Sequence, residues 1–333
     1  MEQTQEILSD RIECKICPHL CKIAPQKSGI CGVRKNTGTM IELLTYGVIS
    51  GYSLDPVEKK PLYHFFPGHN ILSIGSYGCN MRCDFCQNYH ISQNIPDSIM
   101  PGATPEKIAD NALTAHNNIG LAFTYNEPII WFEFVKDTAE IIKSKGLFTA
   151  LVTNGFINPR PLDELIEVTD AFNVDLKAFN NDFYKRLTGA SIAPVKNSLK
   201  KISGSGRHLE ITTLLIPGQN DDEAEMEKQV RWIADELGEE TPFHLSRYFP
   251  MYKRNDPATS DDILARHFDI ASRYLKYVYM GNTRTETGQD TFCPGCKTLV
   301  TKRRGYNTQL LNIINGKCRV CGKEIYKNFT FSS

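Results

Sequence analysis

The positions of the cysteines constrain this chain more than any other feature. The chain has 333 residues and eleven cysteines, and every cysteine belongs to one of three groups with short internal spacings. The groups are Cys14, Cys17, Cys21 and Cys31; Cys79, Cys83 and Cys86; and Cys293, Cys296, Cys318 and Cys321. An odd total argues against a disulfide framework. The short spacings instead indicate three metal sites in a reducing compartment.

The composition is that of a globular protein with no strong electrostatic preference. Hydrophobic residues make up 41% of the chain, and 38 lysines and arginines balance 38 aspartates and glutamates. A neutral balance provides no footprint for nucleic acid or for an anionic membrane. No run of about 18 apolar residues predicts a transmembrane helix, and the polar start at 1–6 does not match a signal peptide. We therefore expect a cytoplasmic protein with neither a membrane nor a nucleic-acid partner.

Short apolar runs, rich in branched and aromatic residues, recur through the middle of the chain. They predict buried strands at 71–74, 119–123, 148–152, 171–174, 209–215, 243–245 and 277–280. Between them, helical patterns begin at Thr104-Pro105 and cover 130–145 and 222–237. Such alternation predicts a parallel sheet with covering helices. Six or seven strands favour a partial barrel over a doubly wound sheet, because no glycine-rich phosphate loop follows the first strand.

The cysteine groups and the strand pattern divide the chain into three parts. We expect an N-terminal cysteine-rich extension at 1–68, an α/β core domain at 69–282 and a zinc-ribbon-like C-terminal module at 283–333. A turn-rich stretch at 66–69 marks the first boundary, and a polar stretch at 282–288 marks the second.

The middle cysteine group lies directly after the first predicted strand. In one compact loop, Cys79, Cys83 and Cys86 can hold three irons of a 4Fe-4S cluster and leave the fourth iron without a protein ligand. An open position on a metal is typical of catalysis, and in α/β barrels the loops after the strands carry the chemistry. The alternative is a zinc knuckle that takes a fourth ligand such as His90.

The spacing Cys79-x3-Cys83-x2-Cys86, with Phe85 before the last cysteine, resembles the signature of the radical S-adenosylmethionine (radical SAM) superfamily. The resemblance implies that the amino and carboxylate groups of S-adenosylmethionine bind the open iron. It also implies one-electron cleavage of this cofactor to a 5′-deoxyadenosyl radical, which abstracts hydrogen from a substrate. An electron donor such as flavodoxin or ferredoxin is implied as a partner.

Further motifs along the chain narrow the resemblance. They are similar to the branch related to pyruvate formate-lyase activating enzymes, and most of all to the radical enzyme of the AmmeMemoRadiSam system. The motifs lie at 55–62, 66–68, 86–88, 125–128, 153–155, 175–177 and 216–218. The branch has a partial (β/α)6 barrel, which agrees with the strand count. It suggests a partner protein that receives a glycyl radical, while a small-molecule substrate or another protein residue stays open.

The resemblance also assigns roles to residues at the predicted strand ends. Glu127 stands where activating enzymes have a Gly-Gly-Glu motif that binds the cofactor's amino group, although Tyr125 and Asn126 replace the two glycines. The rival role for Glu127 is a plain turn glutamate. Asn154, in the motif at 153–155, is implied to contact the cofactor, with a strand-to-loop turn as the alternative.

Two further implied site positions lie on later strands. Asp175 and Lys177 flank one residue, so strand alternation places both on one side, and the family uses such a pair around the cofactor and substrate. A buried structural ion pair is the rival interpretation. His244 resembles the family's histidine on the sixth strand, and a structural histidine is the alternative there.

The outer cysteine groups indicate structural metal sites. Cys293 and Cys296, then Cys318 and Cys321, form two knuckles about twenty residues apart, which is typical of a zinc ribbon whose metal supplies folding energy. A second iron–sulfur cluster is the alternative.

The N-terminal group, Cys14, Cys17, Cys21 and Cys31, can close a zinc site or hold an auxiliary iron–sulfur cluster, with His19 as a further ligand candidate. A structural metal is favoured. The ligand set alone does not separate the two, because both accept four cysteines.

Three functions compete. The first is a radical enzyme with a 4Fe-4S cluster and S-adenosylmethionine as cofactors. The second is an iron–sulfur electron-transfer or redox-sensing protein, which would not need Glu127, Asp175 and Lys177 near an open iron. The third is a zinc-ribbon nucleic-acid module, against which the neutral net charge and the large α/β region argue.

Overall fold

The computed structural model describes residues 4–8, 10–96, 98, 100 and 102–330, so residues 1–3 of the polar start lie outside it. The N-terminal part forms a three-stranded antiparallel sheet followed by a separate two-stranded hairpin. The strands of the first are β1 (Gln5–Ile7), β2 (Ile12–Cys14) and β3 (Lys22–Ile23), and those of the hairpin are β4 (Arg34–Asn36) and β5 (Ile41–Leu43).

Eight strands form the central sheet, in which each strand pairs with the next along the chain. They are β6 (Gly51–Pro56), β7 (Asn70–Gly75), β8 (Asn118–Phe123), β9 (Phe148–Thr153), β10 (Ala171–Asp175), β11 (His208–Leu215), β12 (Phe243–Arg247) and β13 (Val278–Gly281). Pairing is parallel from β7 to β13, whereas β6 is antiparallel to β7. All seven predicted strands are confirmed, and the edge strand β6 is an addition.

Helices separate the parallel strands. They are α1 (Tyr89–Ser92), α2 (Pro105–Thr114), α3 (Phe132–Ser144), α4 (Pro159–Val168), α5 (Asn181–Phe183), α6 (Ile192–Gly204), α7 (Glu223–Leu237) and α8 (Asp261–Ser272). Six strand–helix units followed by a seventh parallel strand make a partial (β/α)6 barrel, as predicted. Within the described ranges, no helix is long and apolar enough to cross a membrane.

The helix starts follow from local capping. Thr104 Oγ1 accepts a hydrogen bond from Lys107 N at 3.3 Å, and Pro105 occupies the first helical position, where a missing N–H costs nothing. Asp222 caps α7 in the same way. The helix predicted at 130–145 begins at Phe132, because a 3-10 turn at Pro128–Trp131 precedes α3.

The C-terminal module consists of short antiparallel strands. They are β14 (Thr291–Phe292), β15 (Leu299–Arg304), β16 (Asn307–Leu310), β17 (Ile313–Ile314) and β18 (Lys317–Cys318). The buried Arg303 connects this module to the barrel: its guanidinium donates to the carbonyl of Tyr63, which lies beyond β6, at 2.9 Å. On β13, Tyr279 Oη lies 2.9 Å from Thr291 Oγ1. The module therefore contacts the edge strand β13 and the segment that follows the other edge strand, β6.

Candidate active site

The loop of Cys79, Cys83 and Cys86 follows the carboxyl end of β7. Backbone hydrogen bonds hold it against the turn after α5: Arg82 N donates to Thr188 O at 2.7 Å, and Asp84 N donates to Leu187 O at 3.2 Å. Cys83 is buried, and Cys79 and Cys86 are half-buried. Burial raises the pKa of the Cys83 thiol to about 12, so an uncompensated thiolate is disfavoured there and a bound cation would supply the compensation.

The sulfur spacing in this loop is wider than a single ion requires. Within the described residues, one group of three or more His, Cys, Asp or Glu side chains has all its ligand atoms within 4.8 Å of one another. That group is the four C-terminal cysteines. The sulfurs of Cys79, Cys83 and Cys86 are thus spread more widely. A cluster that offers a separate iron to each thiolate suits this spacing better than a zinc knuckle does.

Two asparagines that were not assigned roles from the sequence fasten the cysteine loop to the end of β8. Asn126 Oδ1 accepts from Ser76 N at 2.9 Å, and Asn126 Nδ2 donates to Gly78 O at 3.0 Å. Asn88 Nδ2 donates to Tyr125 O at 2.7 Å. Both lie in motifs noted above, but only the fold shows that their amide groups connect the end of β8 to the cysteine loop by hydrogen bonds.

Tyr125 keeps the backbone shape that glycine commonly supplies at such a position. Its φ is 73°, in the left-handed region that costs a side-chain-bearing residue energy. Its hydroxyl donates to Asp55 Oδ2 at 2.9 Å, and Lys60 Nζ lies 5.1 Å from its ring centroid. The backbone therefore turns through a left-handed residue two positions before Glu127, although that residue carries a side chain.

Glu127 is buried at the end of β8 and is already well supplied with donors. Thr153 Oγ1 donates to Oε1 at 2.6 Å, Ile129 N donates to Oε1 at 3.1 Å, and Asn154 N donates to Oε2 at 2.8 Å. Burial raises the pKa of Glu127 to about 7, although these bonds oppose the shift. A carboxylate has about four acceptor sites, so one remains for a further donor in the cavity.

Asn154 connects Glu127 to the first cysteine. Its Nδ2 donates to Asn80 Oδ1 at 2.8 Å and lies 3.8 Å from Cys79 Sγ. Its Oδ1 accepts from Phe156 N at 2.9 Å. The side chain is therefore a fixed part of the wall beside Cys79 as well as a turn residue.

Asp175 and Lys177 form an ion pair at the end of β10. Lys177 Nζ lies 2.9 Å from Asp175 Oδ2. Burial lowers the pKa of Lys177, but Asp175 and then Cys83 more than offset this, so the pKa lies above its ordinary value. Strand register places Thr212 beside Asp175. The two side chains are only partly buried, 14% exposed for Lys177 and 37% for Asp175, and both line the cavity of the cysteines.

His244 lies apart from the cysteine loop. Its Nε2 is 2.6 Å from Glu210 Oε2, and its ring stacks on Tyr279 with centroids 5.2 Å apart. It is 2% exposed. The residue borders a larger cavity than the one the cysteines line, so the structure does not bring it to Cys79, Cys83 and Cys86.

Two adjoining cavities open inside the barrel. The smaller has a volume of about 240 Å³ and is lined by the three cysteines of the loop together with Glu127, Asn154, Asp175 and Lys177. The larger, about 650 Å³, shares Glu127, Asn154 and Asp175 with it and continues toward His244 and Tyr306 of the C-terminal module. Four of the five polar site residues therefore converge on the cysteine loop.

The C-terminal cysteines form a compact four-sulfur group. Cys293 Sγ lies 3.4 Å from Cys321 Sγ, and Cys296 Sγ lies 3.6 Å from Cys318 Sγ. The two knuckles repeat one backbone pattern, since Lys297 N donates to Cys293 O and Gly322 N donates to Cys318 O, each at 2.8 Å. The donor set and the spacing both fit one tetrahedral ion.

The N-terminal cysteines surround a small enclosed cavity of about 10 Å³. Cys14, Cys17 and Cys31 are buried, and Cys21 is half-buried. No three of these four sulfurs lie within 4.8 Å of one another, in contrast to the C-terminal group. His19 also lines this cavity, but its Nε2 is 2.8 Å from Asn80 O.

Comparison with known proteins supports the interpretation of the cysteine loop as an iron–sulfur site. The Radical SAM superfamily matches residues 73–230, which include the cysteine loop. An uncharacterized protein of Methanocaldococcus jannaschii is 37% identical over 326 residues, which cover 96% of this chain and 97% of that protein. The pyruvate formate-lyase 1-activating enzyme of Escherichia coli is 29% identical over 150 residues, covering 44% of this chain and 61% of that enzyme.

Solved structures share the fold. A radical SAM methyltransferase from Sphaerobacter thermophilus superposes with a TM-score of 0.53 at 17% identity, covering 66% of this chain and 68% of that one. SuiB of Streptococcus suis bound to S-adenosylmethionine gives a TM-score of 0.50 at 13% identity, covering 68% of this chain and 53% of that one.

The family, the fold and the cysteine loop thus agree. The relationship implies an enzyme that uses a 4Fe-4S cluster and S-adenosylmethionine. The chain belongs to the radical SAM superfamily and is related to the pyruvate formate-lyase activating enzymes.

Proposed function

We propose that this protein is a radical SAM oxidoreductase in which Cys79, Cys83 and Cys86 ligate the 4Fe-4S cluster. The observation that carries the proposal is the convergence of these three sulfurs with four polar side chains on one cavity of about 240 Å³. When bound there, the cluster and S-adenosylmethionine supply one-electron cleavage to a 5′-deoxyadenosyl radical.

The polar side chains bind and orient the cofactor. Glu127 has an acceptor position left for the cofactor's amino group, and a charge-assisted hydrogen bond of this kind contributes about 1.5–3 kcal/mol. Asn154 holds the wall beside Cys79. Lys177, kept charged by Asp175, is suited to the cofactor carboxylate, and Asp175 is suited to the ribose hydroxyls.

The substrate would occupy the larger cavity, whose wall includes His244 and Tyr306. This polar space adjoins the cofactor cavity, so a hydrogen atom of the substrate can be held near the cofactor while water is excluded. Relatedness to an activating enzyme favours a backbone segment of a partner protein as the substrate, with a glycyl radical as the product. An external one-electron donor such as flavodoxin or ferredoxin would supply the reducing electron.

The outer parts of the chain would serve this core. We assign the extension to 1–68, the radical SAM core to 69–282 and the C-terminal module to 283–333. The four C-terminal sulfurs suit a structural zinc ion, which would stabilise the module.

Cofactor binding to the open iron tests the proposal. The protein is reconstituted with iron and sulfide without oxygen and reduced with dithionite, and its electron paramagnetic resonance spectrum is recorded with and without S-adenosylmethionine. The expected result is a changed g-tensor on addition of the cofactor in the wild type and no such change in Cys83→Ala. An unchanged wild-type spectrum with a full cluster would favour the electron-carrier alternative.

A further inference from the structure

We propose that Cys14, Cys17, Cys21 and Cys31 hold a second 4Fe-4S cluster, with one thiolate on each iron, and that this cluster is an electron relay to the cluster at Cys79, Cys83 and Cys86. The relay part rests on the proposed function, whereas the identity of the metal group does not. The sequence favoured a structural metal at this position, and the geometry of the described residues argues for the cluster.

The sulfur spacing is the first step. A zinc ion with four Zn–S bonds of about 2.3 Å requires sulfurs about 3.8 Å apart. The C-terminal cysteines meet this requirement, with sulfur pairs 3.4 and 3.6 Å apart and all four within 4.8 Å. No three of the N-terminal sulfurs do so. The N-terminal group instead shares its wide spacing with the catalytic cysteine loop, as one iron per thiolate demands.

The cavity between the sulfurs is the second step. Four thiolates in contact around one ion leave no space for a water-sized sphere, whereas the N-terminal group encloses about 10 Å³ of such space. The surrounding wall is apolar and includes the side chains of Ile16, Ile23, Ile30 and Ile130. The four cysteines therefore border an enclosed, mainly apolar space, and their sulfurs do not meet at one point.

A buried arginine provides independent support. Arg34 lines the same cavity and is 2% exposed. Its two terminal nitrogens each lie 2.7 Å from a carboxylate oxygen of Glu133, but its Nε has no hydrogen-bond partner among the residues that the structure describes. An unsatisfied buried N–H is costly. The sulfurs of a cluster accept such hydrogen bonds, which also adjust its reduction potential.

The closed ligand set determines the role. Four thiolates occupy all four irons, so no iron is open to S-adenosylmethionine, in contrast to the loop with three cysteines. A closed cluster exchanges electrons and does not bind substrate.

The position of the group determines the electron acceptor. A methyl group built on Gly78 would meet Cys31 O at 2.7 Å, so the two cysteine loops touch through their backbones. His19 bonds to Asn80 O, and Arg82 donates to Ile30 O. The residue after Gly78 is Cys79. The two metal sites therefore adjoin with protein contacts between them.

The electron step balances without bond changes. A one-electron donor of the flavodoxin or ferredoxin class is oxidised by one electron, and the second cluster is reduced by one. The second cluster then returns to its oxidised state as the same electron reduces the catalytic cluster. No proton is transferred.

Metal analysis of a variant without the catalytic ligands tests the site. In Cys79→Ser/Cys83→Ser/Cys86→Ser, reconstituted without oxygen, we expect about four irons and four sulfides per chain, plus about one zinc. A signal from a reduced cluster that S-adenosylmethionine does not alter is also expected. About two zincs and no iron in this variant would overturn the inference.

Two companion variants assign the metals to their groups. Added to the triple variant, Cys14→Ser/Cys17→Ser removes the remaining iron if the inference holds. In the same background, Cys296→Ser/Cys321→Ser removes zinc alone. If the N-terminal variant does not fold, the triple variant decides the question by itself. Iron retained in the triple variant supports the second cluster even if the wild type never cleaves S-adenosylmethionine, so the two proposals fail separately.

Spin coupling tests the relay. In the fully reduced wild type, two adjoining paramagnetic clusters should relax each other faster than either cluster relaxes in the variant that lacks its neighbour. Relaxation rates equal to those of the single-cluster variants would show that the sites are too distant for a relay and would overturn that part.

Discussion

At the scale of single residues, Tyr125 and Glu127 show which features of the site could be predicted from the sequence and which required the structure. The replacement of two glycines made the backbone conformation before Glu127 hard to predict from the sequence. In the structure, Tyr125 has a φ of 73° and its hydroxyl donates a hydrogen bond to Asp55. The position of Glu127 at a strand end could be predicted from the run that precedes it. Its donors Thr153 and Asn154 could not, because they come from the next strand, 26 and 27 residues away.

Glu127 should make cofactor binding depend on pH. Its raised pKa of about 7 means that the charged, accepting form is depleted as pH falls through 7. Between pH 7.5 and pH 6 the affinity for S-adenosylmethionine is expected to fall roughly eightfold, from the ionised fraction alone. Titration calorimetry of the reconstituted protein measures this.

Glu127→Gln is the matched control for the pH effect. It should bind S-adenosylmethionine about tenfold or more weakly at pH 7.5, since it loses a charge-assisted hydrogen bond. Any pH dependence that persists in this variant comes from the ligand's own amine. A wild type and a variant with the same pH profile would contradict the role given to Glu127.

Asp175 should matter for binding rather than for folding alone. Asp175→Asn removes the partner of Lys177 and the carboxylate that faces the cofactor cavity, so affinity for S-adenosylmethionine should fall about tenfold or more. Asp163→Asn is the matched control, because Asp163 pairs with Lys201 on a helix surface. Equal affinities in the two variants, by the same calorimetric titration, would exclude Asp175 from the site.

At the scale of elements, the parallel strands were predictable because each is a short buried run of branched residues. The strand β8, for example, is buried throughout. The edge strand β6 has half-buried and exposed residues at five of its six positions and contains a glycine and a proline, so its sequence resembles a loop. The joining of the two cysteine loops was not predictable either, since it is a contact between the backbones of Cys31 and Gly78.

Gly78 should be needed for this contact. Gly78→Ala places a methyl group 2.7 Å from Cys31 O, whereas Gly146→Ala, at a similar positive φ of 74°, meets nothing within 4 Å. Both variants bear the left-handed strain of about 1–2 kcal/mol. Only Gly78→Ala should lose about 1–3 kcal/mol more from overpacking. Chemical denaturation of the two variants compares them, and equal losses would contradict the contact.

At the scale of the whole molecule, the sequence predicted a boundary near residue 283 but not the surface that the module covers. Arg303 is buried against Tyr63, and Glu58 Oε1 accepts a hydrogen bond from Thr308 Oγ1 at 2.7 Å. These pairs are separated by some 240 and 250 residues in the chain. No local pattern encodes such contacts, so the packing of the module against the barrel appears only in the fold.

We expect a metal ion at the C-terminal cysteines to stabilise this packing without taking part in the chemistry. Cys318→Ser should lose about one zinc per chain and keep its full iron content, because the four sulfurs of that group lie close enough together for one ion. A lowered melting temperature should accompany the loss, since structural zinc contributes folding energy. Elemental analysis with a thermal melt measures both, and iron lost in place of zinc would contradict the assignment.

The formation of 5′-deoxyadenosine tests the radical SAM assignment of Cys79, Cys83 and Cys86 most directly. The reconstituted protein is reduced with dithionite, S-adenosylmethionine is added without oxygen, and the product is quantified by chromatography. The expected result is 5′-deoxyadenosine from the wild type and none above background from Cys83→Ala at equal protein concentration. A wild type with a full cluster that yields no 5′-deoxyadenosine, or an equal yield from Cys83→Ala, would contradict it.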